Sequence, residues 1–169
     1  VGELRALQER LDVPVYFVLG NHDYYDGSIR GVRRKVTTLC DRSTHLHWLP
    51  RSGIVELTPT TCLIGHGGWA DGRSGNYSGS DVMLNDYLVI QELSHLGKEL
   101  RLEIIQGLAR AAADHFEALL PAAFDKYERV LVLMHVPPFE AATWHEGRIS
   151  DPDWLPHFCC TCAGDALRG

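Results

Sequence analysis

Several things are scarce in these 169 residues, and each scarcity removes a class of function. No apolar run approaches the roughly 18 residues that cross a bilayer, so no membrane segment is expected. Positive charge is also short. The 16 Lys and Arg stand against 22 Asp and Glu, a net charge of -6, which argues against general nucleic-acid binding by counterion release. The five cysteines (Cys40, Cys62, Cys159, Cys160, Cys162) are odd in number, and three crowd into four positions. That is not the spacing of a disulfide framework, and a reducing compartment fits better. Cys159-Cys160-x-Cys162 has no second Cys or His pair at finger spacing and is a weak match to a zinc knot. Residues 1–12 carry Glu3, Arg5, Glu9, Arg10 and Asp12, so nothing there reads as a secretory signal, and a cytoplasmic location is expected. The glycine-rich stretch 65–75 lacks the Gly-Lys-Ser/Thr ending of a P-loop.

What remains is the composition of an ordinary soluble globular protein, 45% apolar and 22% charged, with enough chain to bury a core. It is organised around Val15-Tyr16-Phe17-Val18-Leu19-Gly20-Asn21-His22-Asp23. The apolar run suits a buried parallel strand. It ends in an amide, an imidazole and a carboxylate, at the end of a strand where α/β proteins place their ligands. A second run, Arg129 to Met134, repeats this logic and delivers His135, followed by Pro137 and Pro138.

Around these runs the periodicities predict a helix over 2–12 (Leu4, Leu7, Leu11), another from a Ser28 cap to about Cys40, and a meander of strands over 46–49, 54–57 and 61–64. Arg30, Arg33, Arg34 and Lys35 read as the solvated face of the second helix. From Asp81 to Asp125 the pattern is helical, first around Leu84, Leu88 and Leu93, then along a stripe through Leu100, Ile104, Leu108, Ala112, Phe116, Leu119 and Leu120, with Pro121 kinking or restarting the last turn. His95 and His115 read as structural. In the loop 65–75, His66, Asp71 and Arg73 are candidate substrate-binding residues, Arg73 through a forked contact to phosphate. The alternative is a surface loop in which Asp71 and Arg73 pair with each other. The polar segment 140–169 has Trp144 and His145 as candidates to line a substrate pocket, against a packed Trp and a surface His, with a short helix from Ala163.

Gly20-Asn21-His22-Asp23 resembles the third conserved block of the calcineurin-like metallophosphoesterases, and His135 followed by Pro137 resembles the fourth, with Met134 where the family often has Gly. The resemblance implies a sandwich of two β-sheets flanked by helices. It also implies two divalent metal ions (Mn, Fe or Zn) and hydrolysis of a phosphorylated substrate, monoester, diester or nucleotide. Asn21 and His135 would be ligands of one metal, His22 the proton donor to the leaving oxygen, and Asp23 the carboxylate that orients His22. The family's Asp-x-His, Gly-Asp-x-x-Asp and Gly-His-x-His blocks are absent from the sequence. Helix then strand at the start is half of a βαβ unit. Residues 1–169 are therefore expected to be one partial domain, incomplete at both ends and inactive alone. The alternative is a metal-free binding or scaffold module that keeps the α/β fold.

Overall fold

A computed structural model describes residues 2–169, Val1 lying outside the described residues. The leucine spacing at the start folds as α1 (Gly2–Arg10), and β1 (Val15–Phe17) follows. Only part of the apolar run becomes strand, and that strand is half-buried, not enclosed on both faces. Among the described residues its one neighbour is β2 (Leu46–Trp48), paired in parallel with Val15 opposite Leu46. A parallel pair needs a long crossover, and α2 (Ile29–Asp41) supplies it, with the Ser28 hydroxyl accepting from the Gly31 amide at 2.9 Å as its N-cap.

The expected meander does not form. Because α2 places β2 beside β1, the chain leaves that sheet through a single turn, α3 (Leu49–Ser52), anchored by the buried Leu49 and ended by Gly53 at φ 67°. β3 (Val55–Thr58) and β4 (Thr61–His66) then make an antiparallel hairpin, and β4 pairs in parallel with β5 (Arg129–Met134). Among the described residues β5 is an edge strand. Leu131, Val132 and Leu133 are exposed, where the apolar run predicts a buried strand.

Between β4 and β5 the segment 81–97 is mostly turns around one short helix, α4 (Asp86–Val89), in place of the helix expected from Leu84, Leu88 and Leu93. Leu88 points outwards while Ile90 and Leu93 are buried, so the leucine spacing there does not mark one face. α5 (Lys98–Lys126) is continuous through Pro121. Its buried face runs through Arg101, Ile105, Ala109, Ala112 and Phe116, one residue on from the predicted stripe at its start. The alanines let it close on β4 and on α6 (Thr161–Arg168). A two-stranded hairpin, β6 (Trp144–His145) with β7 (Arg148–Ile149), completes a mixed α/β fold. No helix among the described residues is long and apolar enough to cross a membrane.

Candidate active site

Three chain segments meet where β1 and β5 end. The ladder between β4 and β5 continues one step, the Val136 amide donating to the Gly67 carbonyl at 3.0 Å. A Cβ on Gly67 would sit 2.3 Å from the Leu19 carbonyl oxygen, so only glycine lets this sheet end close on the end of β1. Gly20 makes the next contact. A Cβ there would lie 2.6 to 2.8 Å from three atoms of the His135 ring. With that space open, His135 Nε2 comes within 2.9 Å of Asn21 Oδ1 across 114 positions of sequence. Although His135 is exposed at one edge, partial burial holds its pKa below the usual imidazole value. His22 pushes the same way, against Asp23 and Asp86. Because Asn21 Oδ1 can only accept, the His135 Nε2–H is the donor in this contact.

The Asn21 amide is fixed from behind. Its Nδ2 donates to Asp86 Oδ1 at 2.8 Å, and the same oxygen accepts the Tyr25 hydroxyl at 2.7 Å. Asp86 is only 5% exposed. Burial and then this hydrogen bond push the Tyr25 phenol up to about 12. His22 is exposed, with its ring 4.6 Å from that of Tyr25. Asp23 serves the turn: its Oδ2 accepts from the Gly20 amide at 2.8 Å while its own amide donates to the Gly20 carbonyl at 3.2 Å, closing the 3-10 turn Asn21–Tyr24. Among the described residues no hydrogen bond joins Asp23 to His22, so the expected orienting pair is replaced by this clasp. A 3-10 turn stacks residue i+3 over residue i, which takes Asp23 to Gly20 and away from its neighbour.

The residues present fit part of one metal shell. A nitrogen and an oxygen 2.9 Å apart are at hydrogen-bond distance, close enough for one ion replacing the shared proton to be reached by both side chains. Among the described residues no group of three or more His, Cys, Asp or Glu side chains gathers to hold a metal.

The glycine-rich loop is a brace. Asp71 is buried, its carboxylate accepting from the Cys162 amide at 2.8 Å and from the Arg73 amide at 3.1 Å, which ties the loop to the start of α6. The Arg73 guanidinium pairs with Asp165 at 2.9 Å and not with Asp71. His66 is buried against His115, its Nδ1 accepting from the Gly68 amide at 3.0 Å, and burial, then His115 and Arg33, lower its pKa to about 4. These three have internal partners and do not join Asn21 and His135. Trp144 is exposed, its indole N–H donating to the Ala141 carbonyl, and His145 borders a cavity of about 320 Å³ with Arg148, Trp154 and Phe158. The sequence reading missed Gly20 as a steric requirement, and Asp86 and Tyr25 as partners of Asn21. An Asn-Asp pair opening a leucine-spaced stretch signals only a helix cap.

The calcineurin-like phosphoesterase family model matches residues 1–158. The chain belongs to that family. Its members are metal-dependent phosphoesterases, which accords with a strand-end site that brings an amide oxygen and imidazoles together. No curated protein and no solved structure matches the chain.

Proposed function

We propose that this chain works in a phosphoesterase that hydrolyses phosphate mono- or diesters at a dinuclear centre, with Asn21 and His135 as ligands of one divalent ion and His22 as the proton donor. The observation that carries this reading is the 2.9 Å approach of His135 Nε2 to Asn21 Oδ1 at the ends of two parallel-paired strands. When bound, the ions (Mn, Fe or Zn) supply an activated water and charge neutralisation for the phosphoryl oxygens. Asn21 and His135 would contribute neutral oxygen and nitrogen donors to one ion. His22, exposed beside the pair, holds a proton for the leaving oxygen, and Asp23 keeps the turn that presents it. Tyr25 packs on the His22 ring and limits its rotation.

The test uses the complete protein, with hydrolysis of p-nitrophenyl phosphate and its bis ester and metal content measured together. His22→Ala is expected to lower turnover by about 10²- to 10⁴-fold, the usual contribution of a general acid, with metal content near wild type. Asn21→Ala and His135→Ala are expected to lose metal. Loss of both metals from His22→Ala would make His22 a ligand and overturn the assignment. Wild-type protein inert to both esters would favour the binding-module reading.

A further inference from the structure

A carboxamide has two ends of nearly the same shape and opposite chemistry. Only its oxygen can ligate a cation, so a metal-binding Asn requires something that decides which end faces out. Here Asp86 makes that choice: its Oδ1 accepts from Asn21 Nδ2 at 2.8 Å, and a carboxylate accepts but does not donate. The NH₂ end is therefore held inward and Oδ1 faces His135. Asp86 is itself held. Tyr25 donates to the same oxygen at 2.7 Å, and the segment carrying Asp86 is docked to the turn after the site by two backbone bonds, Asp26 amide to Val89 carbonyl at 3.1 Å and Gln91 amide to Gly27 carbonyl at 2.9 Å.

We propose that Asp86, secured by Tyr25, is a positioning residue that sets the orientation of the Asn21 amide so that its oxygen, and not its nitrogen, faces the metal. This rests on the reading of Asn21 as a ligand. Tyr25 also packs on His22, so one short chain, His22–Tyr25–Asp86–Asn21, couples the attitude of the proton donor to that of the ligand.

The experiment measures Mn²⁺ affinity calorimetrically in the complete protein for Asp86→Asn, Asp86→Ala, Tyr25→Phe, Asn21→Ala and the double variant Asn21→Ala/Asp86→Ala, with kcat at saturating Mn²⁺ alongside. Removing a partner behind a ligand typically weakens metal binding about 10- to 100-fold. Asp86→Ala is expected to fall in that range, Asp86→Asn and Tyr25→Phe to fall less because one acceptor or one contact remains, and excess Mn²⁺ to restore most of kcat. In the Asn21→Ala background, Asp86→Ala should change affinity no further, because there is no amide left to orient. A merely structural Asp86 would instead give additive losses, and that result overturns the proposal. So does unchanged affinity in Asp86→Asn and Tyr25→Phe, two variants that keep the packing volume should Asp86→Ala fail to fold. Unchanged affinity in Asn21→Ala is the separate signature that the ligand reading has failed, and the proposal with it.

Discussion

At the scale of single residues the site depends on one missing methyl group. The hypothetical Cβ on Gly20 meets a surface side chain, not backbone, so the His135 ring is the part that gives way. Gly20→Ala is therefore expected to swing the imidazole away from Asn21. It should leave denaturant stability nearly unchanged and lower Mn²⁺ affinity in the complete protein by tenfold or more, on the order of a lost supporting contact. Unchanged affinity would mean that His135 does not bind from this position. Two buried imidazoles make a different statement. His66 and His157 are both lowered to about 4 chiefly by burial, His157 held by the Tyr87 hydroxyl at 2.7 Å and Ser80 Oγ at 3.2 Å. Below the unfolded value of about 6.5 the unfolded chain binds protons that the folded chain refuses. Stability is therefore full above that pH and falls as the pH drops towards 4. Each group contributes up to about 1.4 kcal/mol per pH unit, so urea unfolding at pH 7.5 and 5.5 should differ by about 3 kcal/mol for the pair. His157→Gln should roughly halve the difference, and a pH-independent midpoint would mean that neither ring is buried neutral.

At the scale of elements, α2 begins where the site turn ends, and its first amides are satisfied from a distance. Glu92 Oε2 accepts from the Ile29 amide at 2.8 Å and Oε1 from the Arg30 amide at 3.1 Å, beside the Ser28 cap. Glu92→Ala is expected to cost about 1–2 kcal/mol in chemical denaturation, with Glu92→Gln losing less because one acceptor remains. A cost near zero would mean that water replaces the carboxylate without loss. Glu92 also shows how far a sequence can be read. The Ser28 cap was legible because capping is a local pattern, and Asn21 and His135 were legible as partners because each follows an apolar run, although those runs lie in two separate sheets and not on one sheet edge. Glu92 and Asp86 were not, since each acts on a residue more than 60 positions away and sits in a segment whose leucines mimic a helix. Strand pairing failed for a related reason. β2 spans Leu46–Trp48 and carries too little alternation to name its neighbour, so only the α2 crossover decides it. The start of α5 was displaced by one residue because Leu100 and Leu108 outrank Ala109 in hydrophobicity, while close packing selects the alanine.

At the scale of the whole molecule, chemistry and edge protection point the same way. The described residues bring two neutral donors to one place, and the sequence has no Asp-x-His, Gly-Asp-x-x-Asp or Gly-His-x-His run to add a bridging carboxylate. Beside them, β5 presents an open edge with Leu131 at 50% exposure, and Phe124 on the adjoining helix is 64% exposed. An apolar strand edge is a template for pairing with another chain. The 169-residue chain by itself is therefore expected to self-associate as its concentration rises and to hydrolyse neither p-nitrophenyl phosphate nor its bis ester with Mn²⁺ or Zn²⁺ added. Two-metal catalysis needs both ions in place to activate the water and hold the transition-state charge, and a nitrogen and an oxygen donor cannot retain even one of them tightly. Light scattering across a concentration series, with turnover and bound metal quantified in the same samples, checks both halves. Metal-dependent turnover by this chain at a rate comparable to the complete protein would require a third and fourth ligand among its own residues. Asp86 and Asp23 are the carboxylates beside the pair; Asp86 would have to release Asn21 and Tyr25 to serve, and Asp23 the Gly20 amide.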